Sequence, residues 1–298
     1  MGPLRCIVVA TDFSATAERA VQRAARVAQA HKAELHLLNV VRPLDLYPGL
    51  TMAPDEFGHY DQELQQAEQT RLEALAARLA DEWGIRAQAT TRLGRAHAEI
   101  AAYAQEVAAD LVVAGARGEN TLMDLFLGST ASRLLRLAAC PVLLVRRAAD
   151  TPYQQVLAAV DFSPVSAAVV EHALRLADGA PVLALHVLGS EVEQRLRRAK
   201  RNQADVTVWL NRLRGDAETQ LDTLLAHVEH GASVARRVQP GFSPAAICQC
   251  IEDCHADLVV LGRHGHGGGL QDWMLGSVSK DVAFAAPCDV LLIGLGGA

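Results

Sequence analysis

Six cysteines in 298 residues are too few and too scattered for a disulfide scaffold, which excludes a small stapled fold. No run approaches 18 consecutive apolar residues, so a bilayer-spanning helix is excluded as well. The amino end, Met1 to Val9, is too short an apolar stretch for a cleavable leader. Together these absences give the expectation of a cytoplasmic protein with no membrane partner. Positive charge is not in excess either: 28 Lys plus Arg stand against 34 Asp plus Glu, a formal charge of −6. That balance exerts no general pull on nucleic acid. Catalytic signatures are missing too. There is no Gly-x4-Gly-Lys-Ser/Thr, no dinucleotide Gly-x-Gly-x-x-Gly, no zincin His-Glu-x-x-His and no nucleophile elbow. What is present is an ordinary globular composition, half apolar and 21% charged, in a chain long enough for two cores.

The chain repeats itself. Val8 to Ser14, with Asp12-Phe13-Ser14, is echoed by Leu157 to Ser163, with Asp161-Phe162-Ser163. Asp110 to Gly115 returns as Asp257 to Gly262, Leu127-Gly128-Ser129 as Leu275-Gly276-Ser277, and Cys140 to Val145 as Cys288 to Ile293. The offsets are 149, 147, 148 and 148, so order and spacing are kept throughout. A tandem duplication follows. The polar stretch around Asp150 and Pro152 is the natural linker, which predicts domains at 1–147 and 155–298 joined by 148–154.

Within each half, short β-branched runs alternate with helical patterns. Cys6 to Ala10 has the length of a strand, Ser14 to Ala30 is Ala-rich at helical spacing, and Leu35 to Val41 is the next strand. A long helix follows a Pro-bearing loop, with Leu64, Leu72, Leu75, Leu79 and Trp83 along one face. Such alternation implies right-handed βαβ units and a parallel sheet covered on both faces. The fold class is therefore α/β, two tandem doubly wound domains of five strands each.

Ligands of open parallel sheets bind beyond the carboxyl ends of the strands, where the strand order reverses. Asp12 and Asp161 stand at the end of the first strand of each half, and Gly115 and Gly262 at the end of the fourth. Gly115-Ala116-Arg117-Gly118 is followed by nine residues and then Gly128-Ser129-Thr130, which opens the helix through Arg133 to Ala138. Glycines allow close approach of a ligand to the backbone. Ser129 is a good N-cap, and the first amides of a helix are donors at the positive end of its dipole. Two readings compete: a phosphate cradle without a Walker lysine, or a turn followed by a helix cap.

At these residues the chain resembles the universal stress protein family, in its tandem-domain form. The family's motif Gly-x2-Gly-x9-Gly-Ser/Thr is matched by Gly115, Gly118, Gly128 and Ser129. The resemblance implies an adenine nucleotide alpha hydrolase-like fold with strand order 3-2-1-4-5. It also implies ATP at the carboxyl ends of strands one and four, with Mg2+ as a possible companion. The family's first-strand aspartate maps onto Asp12 and its second-strand backbone contact onto Val40, with Arg117 and Thr130 beside the motif. Two halves pairing as an intramolecular pseudo-dimer, and a homodimer of chains, are implied in the same way.

The second half departs from the pattern. Gly262-Arg263-His264-Gly265 fits, but ten residues rather than nine separate Gly265 from Gly276-Ser277, and Gly267-Gly268-Gly269 is the natural place for the extra one. Asp161, Gly262, His264, Gly265, Gly276 and Ser277 are the residues that would carry binding there, and the longer loop leaves that binding open.

Weaker signals have plainer readings. Cys248-x-Cys250-x3-Cys254-His255 has a metal-like spacing, yet on a helix at about 100° per residue Cys248 and Cys250 diverge, and Cys250 and Cys254 align with Tyr103 and Val107 as core-type positions. No zinc site follows, because tetrahedral zinc needs four converging ligands. His264 and His266 flank a glycine, where a phosphate contact is simpler than a metal. The basic run Arg195, Arg197, Arg198, Lys200 and Arg201 lacks interleaved aromatics and reads as a solvated face. Val206, Val208, Trp209 and Leu213 form an apolar segment expected to lack a counterpart in the first half: a partner or membrane-proximal surface, or a lid. The functional expectation is an ATP-binding regulatory protein of the stress response. The alternatives are a nucleotide-free scaffold working through dimer and partner contacts, and a weak ATPase.

Overall fold

The computed structural model describes residues 2–46, 54–116, 127–190, 194, 203–265 and 275–294. The chain divides into two compact units, 2–150 and 151–296. In the first, β1 (Cys6–Ala10), α1 (Ala15–His31), β2 (Glu34–Val41), α2 (Pro54–Trp83) and β3 (Arg86–Leu93) come first. They are followed by α3 (Ala96–Glu106), β4 (Leu111–Gly115), α4 (Ser129–Leu137) and β5 (Val142–Val145). The strands run parallel in the order β3-β2-β1-β4-β5. The second unit repeats the plan with β6 (Val156–Val160), α5 (Ser166–Ala177), β7 (Val182–Gly189), α6 (Gln203–Ala226) and β8 (Ala235–Gly241). Then come α7 (Ser243–Asp253), β9 (Leu258–Gly262), α8 (Ser277–Ala285) and β10 (Asp289–Ile293). Its strand order is β8-β7-β6-β9-β10, again parallel. Both units thus have the order 3-2-1-4-5, and in both the reversal falls between the first and fourth strands.

The central strands are apolar on both faces because helices cover both. Ile7, Val8, Val9, Val112, Val113, Leu157, Val259 and Val260 are all fully enclosed. Two aspartates tie the start of the fourth strand to the first. The Asp110 carboxylate accepts from the amides of Arg5 (2.7 Å) and Cys6 (3.0 Å). Asp257 accepts from Gln154 (2.7 Å) and Gln155 (3.2 Å). Ser14 caps α1, its Oγ accepting from the Ala17 amide at 3.2 Å, and Lys32 ends that helix in the left-handed region. The segment after β5 lies along α1, where Arg26 donates to the carbonyls of Ala149 (3.0 Å) and Asp150 (2.9 Å).

Two expectations change. On α2, Leu72, Leu75 and Leu79 are buried as the periodicity predicts, but Leu64 is exposed. The inner face of that part of the helix is polar instead. Gln69 donates to the Ala89 carbonyl (3.2 Å) and accepts from the Thr91 amide (2.8 Å), while Gln65 donates to the Thr91 carbonyl (2.9 Å). These side-chain amides imitate a neighbouring strand and close the β3 edge. The apolar segment around Trp209 does have a counterpart. It lies on α6, which holds the same chain position between the second and third strands as α2 does. Val206 is buried there while Val208 and Trp209 are exposed. The basic run from Arg195 to Arg201 lies outside the described residues.

Candidate functional site

In the first unit the β1–β2 ladder runs one residue past β1: the Thr11 amide donates to the Leu38 carbonyl at 2.9 Å. The Thr11 carbonyl in turn accepts from the side-chain amide of buried Asn39, also at 2.9 Å. Asp12 follows, exposed, at the carboxyl end of the strand. Its Oδ1 accepts from the Ser14 amide (3.1 Å), a local turn that short carboxylates form readily. Phe13 takes φ 60°, a conformation that non-glycine residues seldom adopt, and its amide donates to Thr11 Oγ1 (3.0 Å). The guanidinium of Arg71, from α2, lies 3.9 Å from the centre of the Phe13 ring. Val40 is half-buried near the end of β2.

Beside these residues, Gly115 ends β4. The Ala116 amide donates to the Val145 carbonyl (3.0 Å), and the Gly128 amide donates back to the Ala116 carbonyl (2.9 Å). Ala116 and Gly128 therefore meet, and α4 opens there with Ser129 exposed and Thr130 half-buried. The structure brings Asp12, Val40, Gly115, Gly128, Ser129 and Thr130 to the same end of the sheet. Arg117 and Gly118 lie outside the described residues.

One correction concerns Ser129. The N-cap is Gly128 (φ −58°, ψ 148°), with no side-chain cap bond, and Ser129 is the first helical residue. Gly128 takes the cap because its amide is needed to close the loop on Ala116. The first-turn amides of α4 consequently have neither an intrahelical partner nor a cap side chain. Ser277 shows the same shift, with Gly276 as the cap of α8.

The second unit builds the same frame with different residues. The carbonyl before Asp161 belongs to Val160 and is held by the ring of His186, Nδ1 to oxygen 2.9 Å. Phe162 also has a positive φ, 62°, and its ring stacks on His186 at 4.2 Å between centroids, 27° between planes. Asp161 Oδ1 accepts from the Ser163 amide (3.0 Å) and the Ser166 hydroxyl (3.3 Å). The glycine loop touches this aspartate, because a Cβ on Gly265 would stand 2.9 Å from Asp161 Oδ2. A Cβ on Gly262 would meet Val165 Cγ2 at 2.8 Å. The Gly276 amide donates to the Arg263 carbonyl (2.8 Å), and Ser279 Oγ donates to the Gly262 carbonyl (2.6 Å). The loop mouths are thus closed alike in both units. The second spans 264–275, one residue more than 117–127, and the difference falls within the residues not described. His264 is half-buried beside the mouth, and His266 lies outside the described residues.

Sequence reasoning missed Asn39 and His186, which hold the strand-end carbonyl, and also Arg71 and Ser166. The available signal was a polar residue near the end of an otherwise apolar second strand. Among the described residues no group of three or more His, Cys, Asp or Glu could hold a metal ion. Among them too, no helix is long and apolar enough to cross a membrane.

Each half is therefore a doubly wound α/β unit with a loop mouth closed at a glycine beside its topological switch point. A family model for the universal stress protein family matches residues 3–146 and again 152–294. A universal stress protein of Mycolicibacterium smegmatis is 29% identical over 302 residues, covering 96% of each chain. One of Mycobacterium tuberculosis is 30% identical over 312 residues, covering 96% of this chain and 94% of its own. The crystal structure of a universal stress protein from Archaeoglobus fulgidus superposes with a TM-score of 0.67 at 19% identity, over 97% of this chain and 98% of that one. The chain belongs to the universal stress protein family, as a tandem of two family domains.

Proposed function

We propose that the first half binds an adenine nucleotide, ATP, at Asp12, Val40, Gly115, Arg117, Gly118, Gly128, Ser129 and Thr130, and that the chain is a nucleotide-controlled regulatory protein of the stress response. The observation that supports this most is the closure of the glycine loop by the Gly128 amide on Ala116 at 2.9 Å. It stands the glycine-capped start of α4 at the carboxyl end of β4, where unpaired amides and the helix dipole favour phosphate. Asp12, exposed on the neighbouring strand, is left to accept from an amino group of the base. The described residues supply this one site carboxylate, so Mg2+ would be carried by the phosphates and would keep several waters. Bound nucleotide contacts the Gly118 to Gly128 segment and biases a partner surface. The domain limits that go with this reading are 1–147 and 155–298, with 148–154 between.

The second half is the weaker site, at Asp161, Gly262, His264, Gly265, Gly276 and Ser277. Its aspartate already receives Ser163 and Ser166 and lies against Gly265. To test both readings, the chain is purified without added nucleotide, denatured, and the released small molecules identified by chromatography and mass. Adenine nucleotide near one per chain, lost in Gly118→Val with the far-UV circular dichroism unchanged, is the expected result. An empty protein that also fails to take up ATP with Mg2+ overturns the proposal in favour of the scaffold.

A further inference from the structure

The last turn of α7 carries two thiols on one side. Cys250 is fully buried. Cys254 follows one turn later, half-buried, at the C-cap, with its amide donating to the Cys250 carbonyl at 3.1 Å. Cys254 Sγ lies 4.0 Å from the Ile251 carbonyl, one turn below Cys250. From β8, Arg237 aims Nη1 at Cys250 Sγ, 3.5 Å away, with the Asp253 carboxylate 4.0 Å from the same guanidinium nitrogen. The first half is furnished differently. Tyr103 holds the place of Cys250, with its hydroxyl bonded to His36 Nδ1 (3.0 Å) and Thr90 Oγ1 (3.1 Å).

Spacing decides what the pair can do. Cβ atoms one helical turn apart are about 5–6 Å from each other, whereas a disulfide requires about 3.5–4.5 Å. Joining the sulfurs directly would require the last turn to unwind. A single ion held between two thiolates instead needs a sulfur–sulfur distance of about twice a metal–sulfur bond, roughly 4.5 Å for bonds near 2.3 Å. Side chains one turn apart can reach that distance without distortion. Ligand number narrows the choice further. A divalent ion would look for further ligands, and among the described residues no third His, Cys, Asp or Glu joins the pair.

We propose that Cys250 and Cys254 form a two-coordinate site for a soft monovalent cation of the copper(I) class, entered from the half-exposed side of Cys254. Soft cations prefer thiolate ligands, and binding displaces both thiol protons to solvent with no change of oxidation state. Burial, reinforced by Cys254, pushes the Cys250 thiol up to about 11, so an empty Cys250 resists casual oxidation. A four-ligand zinc centre remains excluded, since a two-coordinate ion asks for nothing more than this turn provides.

The test uses the full chain, reduced and anaerobic, titrated with Cu(I) against a chromophoric copper(I) chelator. One tightly held ion per chain is expected. Cys250→Ser and Cys254→Ser should each abolish it, Arg237→Gln should weaken it about tenfold, and Cys6→Ser should leave it unchanged. Far-UV circular dichroism confirms that the variants fold, and Cys254→Ser, at a half-exposed C-cap, preserves the test if Cys250→Ser does not. Copper binding unaffected by Cys254→Ser overturns the site. Zinc held as tightly by the same pair overturns its two-coordinate character. Ready joining of Cys250 to Cys254 by a thiol oxidant, with the helix intact, overturns the spacing argument.

Discussion

The two halves share a frame and differ in what is mounted on it. In both, the strand-end carbonyl before the aspartate is held from the second strand at 2.9 Å, by an amide of Asn39 in one and the ring of His186 in the other. Both follow the aspartate with a phenylalanine at φ near 60°. Arg71 covers that phenylalanine in the first half, and His186 stacks on it in the second. Backbone geometry has therefore outlasted the side chains that enforce it. The binding behaviour of each half should then be separable by substitution, even though the folds are alike.

The largest expected difference is in acid. His172, buried in α5, has Nδ1 2.8 Å from the Ala168 carbonyl, and Arg23 takes the matching place in α1. Burial, opposed by that carbonyl and aided by Arg175, lowers the His172 pKa to about 4. The unfolded chain binds this proton near pH 6.5. Below that value it holds more protons than the folded chain, so stability is full above pH 6.5 and falls as the pH drops toward 4. A difference of about 2.5 pH units corresponds to roughly 3 kcal/mol. Hydrogen exchange, read separately over α1 and α5 at pH 7 and 4.5, should show the larger loss of protection in α5. His172→Gln should reduce that loss. Burial also lowers the pKa of His36 in the first half, but neighbouring Glu34 opposes the shift. A greater acid loss in α1 than in α5 would reverse the comparison.

Next in size is the contrast between the aspartates. Asp12→Ala removes an exposed carboxylate that awaits a base. A hydrogen bond to a charged group is worth about 1.5–3 kcal/mol, so adenine nucleotide affinity of the first half should fall roughly 10- to 100-fold. Asp161→Ala should cost nucleotide affinity far less and mainly loosen the start of α5, where Ser166 donates to this carboxylate. Isothermal titration with ATP and GTP on both variants checks this. Equal losses for both bases in Asp12→Ala would count against a base contact.

Much of this frame could be read without coordinates. Repeat offsets of 147 to 149 placed both aspartates and both glycine loops, because a duplicated βαβ chain keeps its element lengths even where side chains diverge. The strand run Cys6–Ala10 matches β1, since a strand buried on both faces shows as an unbroken apolar run. Leu64 departs from the pattern because periodicity cannot tell a helix face over a sheet from one beyond its edge. There the buried work passes to Gln65 and Gln69. Local sequence favours Ser129 as the cap because serine caps well, whereas the closure that hands the cap to Gly128 depends on the distant Ala116 carbonyl. Asn39 and His186 escaped notice because cross-strand register, not local pattern, makes them equivalent: Ala10 pairs with Leu38, and Val160 with His186.

A smaller effect should follow from equalising the loops. Deleting Gly268 gives the second loop the length of the first. If the added residue is what weakens that site, nucleotide affinity in the second half should rise about tenfold, or roughly 1.4 kcal/mol. Equilibrium titration on Gly118→Val, which silences the first half, isolates the change. No gain would shift the cause to the crowded carboxylate of Asp161.

The smallest prediction exchanges the device that holds the strand end. Asn39 uses its amide nitrogen on Thr11, but its Oδ1 is buried without a hydrogen-bond partner, beside a Thr91 hydroxyl in the same condition. An unsatisfied buried acceptor costs about 1–3 kcal/mol. Asn39→His brings in the arrangement of the second half, where a ring nitrogen holds the carbonyl. It exchanges the carboxamide oxygen, with two lone pairs, for the single lone pair of Nε2 further along the ring, at the expense of a larger ring against Thr91. The net gain should be below about 1 kcal/mol, seen as a rise of a few degrees in the melting of the first half. Asn39→His combined with Thr91→Ala should gain more, because it removes both the crowding and the second unpaired oxygen. Should both variants melt lower than the parent, the amide and the imidazole are not interchangeable, and the side chain rather than the backbone register sets the geometry that presents Asp12.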